Sequence, residues 1–92
     1  MIQSFKCKDT LALYDGKSPR RFRAFASIAE RKLAQLDAAQ TLAFLRAPPG
    51  NRLEALKGDR KGQHGIRVND QWRICFVWTD VDPRDVEIVD YH

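Results

Sequence analysis

Trp72-Arg73-Ile74-Cys75-Phe76-Val77-Trp78 alternates large apolar residues with smaller or polar ones, which is a period of two residues. Successive side chains of a strand point to opposite faces, so the stretch predicts a β-strand with one buried face. Arg73 would project from the other face. We expect the apolar face to pack against helices through Trp72, Ile74 and Phe76.

Further strands are predicted on both sides of this stretch, at Arg52–Leu56, His64–Val68 and Asp85–His92. Turn-rich segments separate them, at 57–62, at Asn69-Asp70 and at 79–84. Strands joined by such short connections pair antiparallel, so the second half of the chain predicts an antiparallel sheet. A short additional strand is expected at Ile2–Lys6.

The first half of the chain has the pattern of helices. Asp9 or Thr10 is expected to cap a short helix that Gly16 ends, and Ser18-Pro19 to begin a longer one. Apolar residues then recur at helical spacing, at Phe22, Phe25, Ala26, Ala29, Leu33 and Leu36, with Lys32 off this stripe. A last turn at Thr41–Arg46 stops at Ala47-Pro48-Pro49-Gly50. The fold class predicted is α+β, a compact antiparallel sheet with two or three N-terminal helices on one face.

Length and composition exclude several classes of protein. The chain has 92 residues, so we expect one domain over residues 1–92. The formal net charge of +4 favours a polyanionic partner. No apolar run is long enough to span a membrane, and the N-terminus does not resemble a signal peptide. Cys7 and Cys75 lack metal-ligand spacing, so we expect reduced thiols in a cytoplasmic protein without metal or cofactor.

Polar residues are expected to converge at one end of the sheet. If the last strand pairs with 72–78, the terminal Asp90-Tyr91-His92 returns beside Arg73, with Arg67 on the same face. The basic loop Lys57–Lys61 would border this region. A carboxylate, a phenol, an imidazole and several cations are the groups that a metal-independent ribonuclease needs for proton transfer and for stabilising a phosphorane.

Each of these residues also has an ordinary structural interpretation. Arg73 is compatible with a solvated or ion-paired surface position, and the Lys57–Lys61 run with a solvated loop. Terminal residues such as His92 commonly fray, and Asp90 could simply pair with an arginine. His64 is compatible with a strand histidine that has a satisfied hydrogen bond. From the residues alone, the prediction stops at a small α+β domain with a basic face.

The same residues resemble the HigB toxins of the RelE/ParE superfamily. The resemblance is carried by an ordered set of short segments over nearly the whole chain, including Met1–Phe5, Asp37–Ala39, Pro49–Leu53, Leu56–Arg60, Gly62, Ile66–Asn69, Trp72–Ile74 and Asp90–His92. It implies a RelE-like fold and a toxin of a type II toxin–antitoxin pair. The implied activity is cleavage of mRNA in the ribosomal A site, without metal. The implied partner is a HigA-type antitoxin with a helix-turn-helix domain. Operator DNA would be contacted only through this antitoxin.

The resemblance also implies roles for individual residues. Lys57 matches a lysine that contacts phosphate or transition-state charge, and Arg73 matches the arginine that stabilises the scissile phosphate. The terminal catalytic cluster corresponds to Asp90, Tyr91 and His92, with Asp90 the first and His92 the second candidate for the general acid or base. Further contacts to RNA phosphates are expected from Arg52, Arg60, Lys61 and Arg67.

Glu54 departs from the family pattern, in which many members carry a histidine. If this carboxylate points into the site, it should repel phosphate and slow cleavage, giving a mild toxin. The alternative is that it faces solvent or pairs with Arg52 or Lys57. Two rival functions stay open: a toxin that binds the ribosome or its assembly intermediates without cutting, and a ParE-like inhibitor of DNA gyrase.

Overall fold

The computed structural model describes residues 1–91 and contains a four-stranded antiparallel sheet. The strands lie side by side in chain order. Their bounds are β1 Glu54–Ala55, β2 His64–Arg67, β3 Trp72–Thr79 and β4 Asp82–Asp90. The predicted antiparallel meander is therefore present, and the stretch with the clearest alternation, β3, pairs with strands on both sides.

One face of the sheet forms the core against the helices, as the alternation predicts. Ile66, Ile74 and Ile88 are Cα partners across β2, β3 and β4, and all three are buried. Phe76 is fully buried on the same face. Trp72 packs its ring 5.8 and 5.1 Å, centroid to centroid, from the rings of Phe22 and Phe25. These contacts fix which side of β3 faces outward.

The helical half contains three α-helices, α1 Lys8–Tyr14, α2 Ala26–Ala38 and α3 Leu42–Arg46. The predicted apolar stripe is interrupted, because its first part is a 3₁₀-helix at Arg20–Phe25. Pro19 occupies the N-cap position of that 3₁₀-helix, and no side chain caps it, so the expected Ser18 cap is wrong. Thr41 caps α3 as a side-chain acceptor for the Phe44 N–H.

Thr10 stabilises the edge of the sheet instead of capping α1. The helix begins at Lys8, and Thr10 lies within it, fully buried. Its Oγ1 accepts a hydrogen bond from the Ile88 N–H at 3.0 Å. β4 is an edge strand, and this N–H would otherwise have no acceptor in the core. The predicted cap at Asp9 or Thr10 is therefore wrong.

Lys32 is a buried cation, whereas its position off the apolar stripe predicted a solvated one. Its Nζ donates to Oδ1 of Asn51 at 2.5 Å, and Asn51 in turn donates to the Leu45 carbonyl and to Gln35. This network ties α2 and α3 to the short 3₁₀-helix at Pro49–Asn51 that leads into β1. Burial is the first cause that lowers the pKa of Lys32, followed by the charges of Arg31 and Arg67.

Two predicted strands are shorter than expected. The N-terminal segment 2–6 forms a single parallel bridge, Phe5 to Val86, along the free edge of β4. β1 contains only Glu54–Ala55, and Arg52, which was expected to begin it, has a left-handed backbone with φ of 46° that an extended strand does not accommodate. Among residues 1–91, no helix has the length and apolar character needed to cross a membrane.

Candidate active site

Arg73 lies on the outer face of the sheet, near the end at which β3 begins. Its Cα partners are Arg67 on β2 and Val89 on β4, and its side chain is only 21% exposed. The two arginines lie on the same face, as the shared parity predicted, and the register sets them directly opposite each other. Arg67 itself forms an ion pair with Asp70, in the turn that leads into β3. This face holds fixed positive charge.

Tyr91 supports the guanidinium of Arg73 from the end of β4. Cζ of Arg73 lies 5.0 Å from the centroid of the Tyr91 ring, which is within the range of a cation–π contact. The Tyr91 N–H donates to the Gln71 carbonyl at 2.7 Å, just before β3 begins. The structure thus brings together two of the predicted site residues, which lie 18 positions apart in the sequence.

Glu54 points into this site and pairs with Arg73. Oε1 of Glu54 lies 3.0 Å from Nη1 of Arg73, so Glu54 does not take Arg52 or Lys57 as its partner. The contact lacks the alignment of a hydrogen bond, and Nη1 is buried without a hydrogen-bond acceptor among residues 1–91. Glu54 is 46% exposed, which keeps this carboxylate partly hydrated. Arg73 is therefore held by the charge of Glu54 and by the ring of Tyr91.

Asp90 lies beside Tyr91 in sequence but on the other side of β4. It is the Cα partner of Trp72, whose side chain packs on the helices, and paired residues share a face. Its Oδ2 accepts a hydrogen bond from Nε2 of Gln71 at 3.0 Å. The structure thus places Asp90 at the open end of the sheet, and Tyr91 on the outer face with Arg73. His92 lies outside the described residues.

The basic loop between β1 and β2 contributes cations of two kinds. Lys57 and Lys61 are exposed, as is Arg52 just before β1. Arg60 is held instead, with Nη1 2.9 Å from Oε1 of Glu87 and 3.2 Å from Oε1 of Gln63. The bond to Glu87 is the first cause that raises the pKa of Arg60. The exposed side chains can turn toward a ligand more readily than Arg60, which would first have to leave Glu87.

Cys75 forms the floor of the site. It is fully buried on the outer face, between Arg73 and the Arg60–Glu87 pair. Burial raises the pKa of its thiol to about 11, with the positive charge of Arg60 opposing the shift. This thiol stays protonated and unreactive at neutral pH. Among residues 1–91, no cluster of histidine, cysteine, aspartate and glutamate could hold a metal ion.

Sequence reasoning did not single out Glu87. The signal was present, because Glu87 shares the parity of Val89 and Tyr91 on the predicted last strand. It is the Cα partner of Cys75, two residues along the strands from Arg73. The outer face therefore carries two carboxylates, each joined to an arginine: Glu54 to Arg73 and Glu87 to Arg60.

Comparisons with known proteins agree with this architecture. The YafQ structure from E. coli strain BL21(DE3) superposes with a TM-score of 0.64 at 18% identity, covering 98% of this chain and 91% of that one. The YoeB–YefM complex from Staphylococcus aureus matches with a TM-score of 0.55 at 15% identity, covering 100% and 98%. The predicted α+β, RelE-like fold is confirmed.

Sequence comparison identifies the family. The chain is 45% identical over 84 residues to Toxin HigB-1 of Vibrio cholerae serotype O1, a match covering 87% of this chain and 86% of that protein. Residues 4–92 match the family described as the RelE-like toxin of the type II toxin–antitoxin system HigB. On the fold, the site and these matches, the chain belongs to the HigB-like toxins of type II toxin–antitoxin systems.

Proposed function

We propose that this toxin is a ribosome-dependent mRNA endonuclease that inhibits translation. The observation that carries the proposal is the state of Arg73. Its guanidinium rests on Tyr91, on the face of the sheet that also carries Arg67, and its Nη1 lies 3.0 Å from the carboxylate of Glu54. A guanidinium that already holds one oxyanion in the site is suited to binding another. A scissile phosphate supplies such oxygens, and a fixed guanidinium binds them in two places at once.

The proposed reaction needs no group beyond side chains and RNA. A base removes the proton from the ribose 2′-hydroxyl, and the oxygen attacks the adjacent phosphorus. The bond from phosphorus to the 5′-oxygen breaks as an acid protonates that oxygen, leaving a 2′,3′-cyclic phosphate and a 5′-hydroxyl. Arg73 and Lys57 would stabilise the charge of the phosphorane, and Asp90 or His92 would transfer protons. Tyr91 would orient Arg73 and the substrate.

Binding to the ribosomal A site would rest on phosphate contacts from the basic face. Arg52, Lys61 and Lys57 are exposed and suited to this, whereas Arg60 and Arg67 would contribute charge from positions already held by carboxylates. Such binding should weaken steeply as salt is raised, because each neutralised phosphate releases counterions. The ribosome would supply much of the positioning of the substrate.

In the cell, the proposal includes the partner and the place of action. We propose a cytoplasmic toxin held by a HigA-type antitoxin, whose helix-turn-helix domain would make the contacts to operator DNA. Within the family, we also propose that this chain is particularly similar to the toxin GraT. The basis is the same ordered set of short segments that carries the family resemblance. The Glu54–Arg73 contact supports a mild activity, because a carboxylate already occupies part of the phosphate site.

The same contact favours one rival function, a toxin that binds the ribosome or its assembly intermediates without cutting. The test is to map new RNA 5′ ends across the transcriptome minutes after the toxin alone is induced, beside the Arg73→Lys and Asp90→Asn variants and a chain lacking His92. Arg73→Lys keeps the positive charge but loses the planar guanidinium, which can donate two parallel hydrogen bonds to a phosphate. The rate of cleavage should therefore fall by roughly 10²-fold. Cuts in a fixed codon register that the variants lack support the nuclease.

Growth arrest without new 5′ ends would refute the nuclease activity. It would favour the toxin that binds the ribosome or its assembly intermediates without cutting. Arrest accompanied by broken or trapped chromosomal DNA, with RNA intact, would instead identify a ParE-like gyrase inhibitor. Ribosome profiles separate these two results, because only the first would accumulate stalled ribosomes or incomplete subunits.

A further inference from the structure

Glu87 is a nearly buried carboxylate on the active-site face that the proposed reaction does not use. Its side chain is 16% exposed, and its Oε1 lies 2.9 Å from Nη1 of Arg60 and 3.8 Å from Nζ of Lys6. A hydrogen-bonded charge pair of this geometry is among the stronger polar contacts in a protein. It joins β4, the N-terminal segment and the basic loop on one face of the sheet.

Arg60 crosses two strands to reach this carboxylate. It follows β1, whereas Glu87 lies on β4, and adjacent strands are about 4.8 Å apart. The row of Cα partners that ends at Glu87 contains only small residues on the strands between, Gly65 and Cys75. The Leu56 side chain packs over Gly65, and the Arg60 guanidinium reaches Glu87 at the far end of the same row.

The loop that Arg60 anchors also carries Lys57. Arg60 N–H donates to the Lys57 carbonyl at 3.2 Å, and Lys61 N–H to the Gly58 carbonyl at 3.1 Å, which closes a 3₁₀ turn at Gly58–Arg60. Gly58 and Gly62 border the turn with φ of 63° and 95°, so flexible residues flank it. Among residues 1–91 no ion pair holds Lys57 itself. Its backbone is fixed on one side by the buried Leu56, whose N–H donates to the Gln63 carbonyl, and on the other by the turn that Arg60 anchors.

We propose that Glu87 is a positioning residue, which fixes Arg60 and thereby sets Lys57 for its contact with the scissile phosphate. This inference rests on the proposed nuclease function. Glu87 does not touch substrate, and its effect on the reaction passes through Lys57. A misplaced cation in the transition state costs rate without a matching loss of substrate binding.

The first test is a double-mutant cycle in single-turnover cleavage of mRNA on programmed ribosomes. Glu87→Gln is made in the native chain and in Lys57→Ala, and Asp59→Asn is the matched control, since Asp59 is an exposed carboxylate in the same turn that forms no ion pair among residues 1–91. Glu87→Gln should lower the maximal rate by roughly 10-fold, with little change in the half-saturating ribosome concentration. In Lys57→Ala it should lower the rate no further.

Equal losses in both backgrounds would overturn the proposal, because they indicate general damage to the fold. Loss of rate in the Asp59→Asn control as large as in Glu87→Gln would overturn it as well, since net charge would then be the cause.

The second measurement is amide hydrogen exchange of the free toxin, which does not depend on cleavage. Glu87→Gln should speed exchange at Arg60, Lys61 and Gln63, while core amides such as those of Ile66 and Ile74 keep their protection. If the native toxin fails to cut RNA but these amides still respond, the nuclease is refuted and the anchoring of the turn stands. Unchanged exchange in the turn would refute the anchoring itself.

Discussion

Replacing Glu54 by glutamine should make this toxin more active and slightly less stable. The substitution keeps the size of the side chain and removes the charge that lies 3.0 Å from Arg73. Under the proposed function, a substrate phosphate would approach the same guanidinium, so in the native protein it would compete with the carboxylate and be repelled by it. Glutamine removes both effects.

The size of the effect follows from the distance and the exposure. Two unit charges 3.0 Å apart attract by about 1.4 kcal/mol at the dielectric constant of water and by about 5.5 kcal/mol at an effective value near 20. Since Glu54 is 46% exposed, the aqueous limit is the better guide, and about 1.4 kcal/mol corresponds to tenfold in affinity. Loss of such a partly exposed pair should cost about 0.2–1 kcal/mol of folding stability.

The assay is single-turnover cleavage of mRNA on programmed ribosomes over a range of toxin concentrations. Glu54→Gln should lower the half-saturating concentration by about tenfold, whereas the Asp59→Asn control, which removes the same charge at an exposed site without an ion pair among residues 1–91, should change it by less than about threefold. Thermal denaturation should show a drop of a few degrees for Glu54→Gln. Equal effects of the two substitutions, or none at Glu54, would refute the competition between carboxylate and phosphate.

Three further predictions concern the buried polar groups. Thr10→Val should cost about 1–3 kcal/mol in urea denaturation, because the Ile88 N–H loses its acceptor in the core; a loss no larger than that of Thr10→Ser would contradict this. Asn51→Ala should cost about 3–5 kcal/mol, and more than Lys32→Met, because it leaves the Lys32 charge buried without its acceptor. The Cys75 thiol ionises near pH 9 when unfolded but near pH 11 when folded, since burial raises its pKa to about 11. Its contribution is therefore complete below pH 9 and is lost as pH rises toward 11; urea titrations should show an alkaline loss of up to about 2–3 kcal/mol that Cys75→Ala removes.

The strands were predictable from the sequence because their pattern is local. Alternation along 72–78 sets the buried face, and the short turns set the antiparallel order, so the shared face of Arg73 and Arg67 follows from parity, whereas their direct pairing is given only by the register of the structure. The proximity of Tyr91 to Arg73 was predictable as well, because it follows from the pairing of β3 with β4. Each of these inferences depends on backbone periodicity, which a single sequence carries.

Side-chain pairings across strands were not predictable in the same way. Glu54 pairs past β2 with Arg73, although Arg52 and Lys57 are far nearer in sequence. The left-handed backbone at Arg52 and the register that pairs Glu54 with Gly65 accompany this contact, and neither is visible in residue spacing. Lys32 was missed for a similar reason, because its acceptor, Asn51, lies on another element and reaches it only after the core has formed.

The two carboxylates of the outer face have opposite consequences for the site because they differ in burial. Glu54 is 46% exposed and has no aligned hydrogen bond to Arg73, so an incoming phosphate can displace it and water can solvate it. Glu87 is 16% exposed and hydrogen-bonded to Arg60, so displacing it would leave a charge without a partner in a poorly hydrated place. Under the proposed function, Arg73 would therefore be available to substrate at a modest energetic cost, and Arg60 would be retained by the protein. The same pair of residue types would thus provide both a ligand-binding cation and a structural one, and exposure would determine which is which.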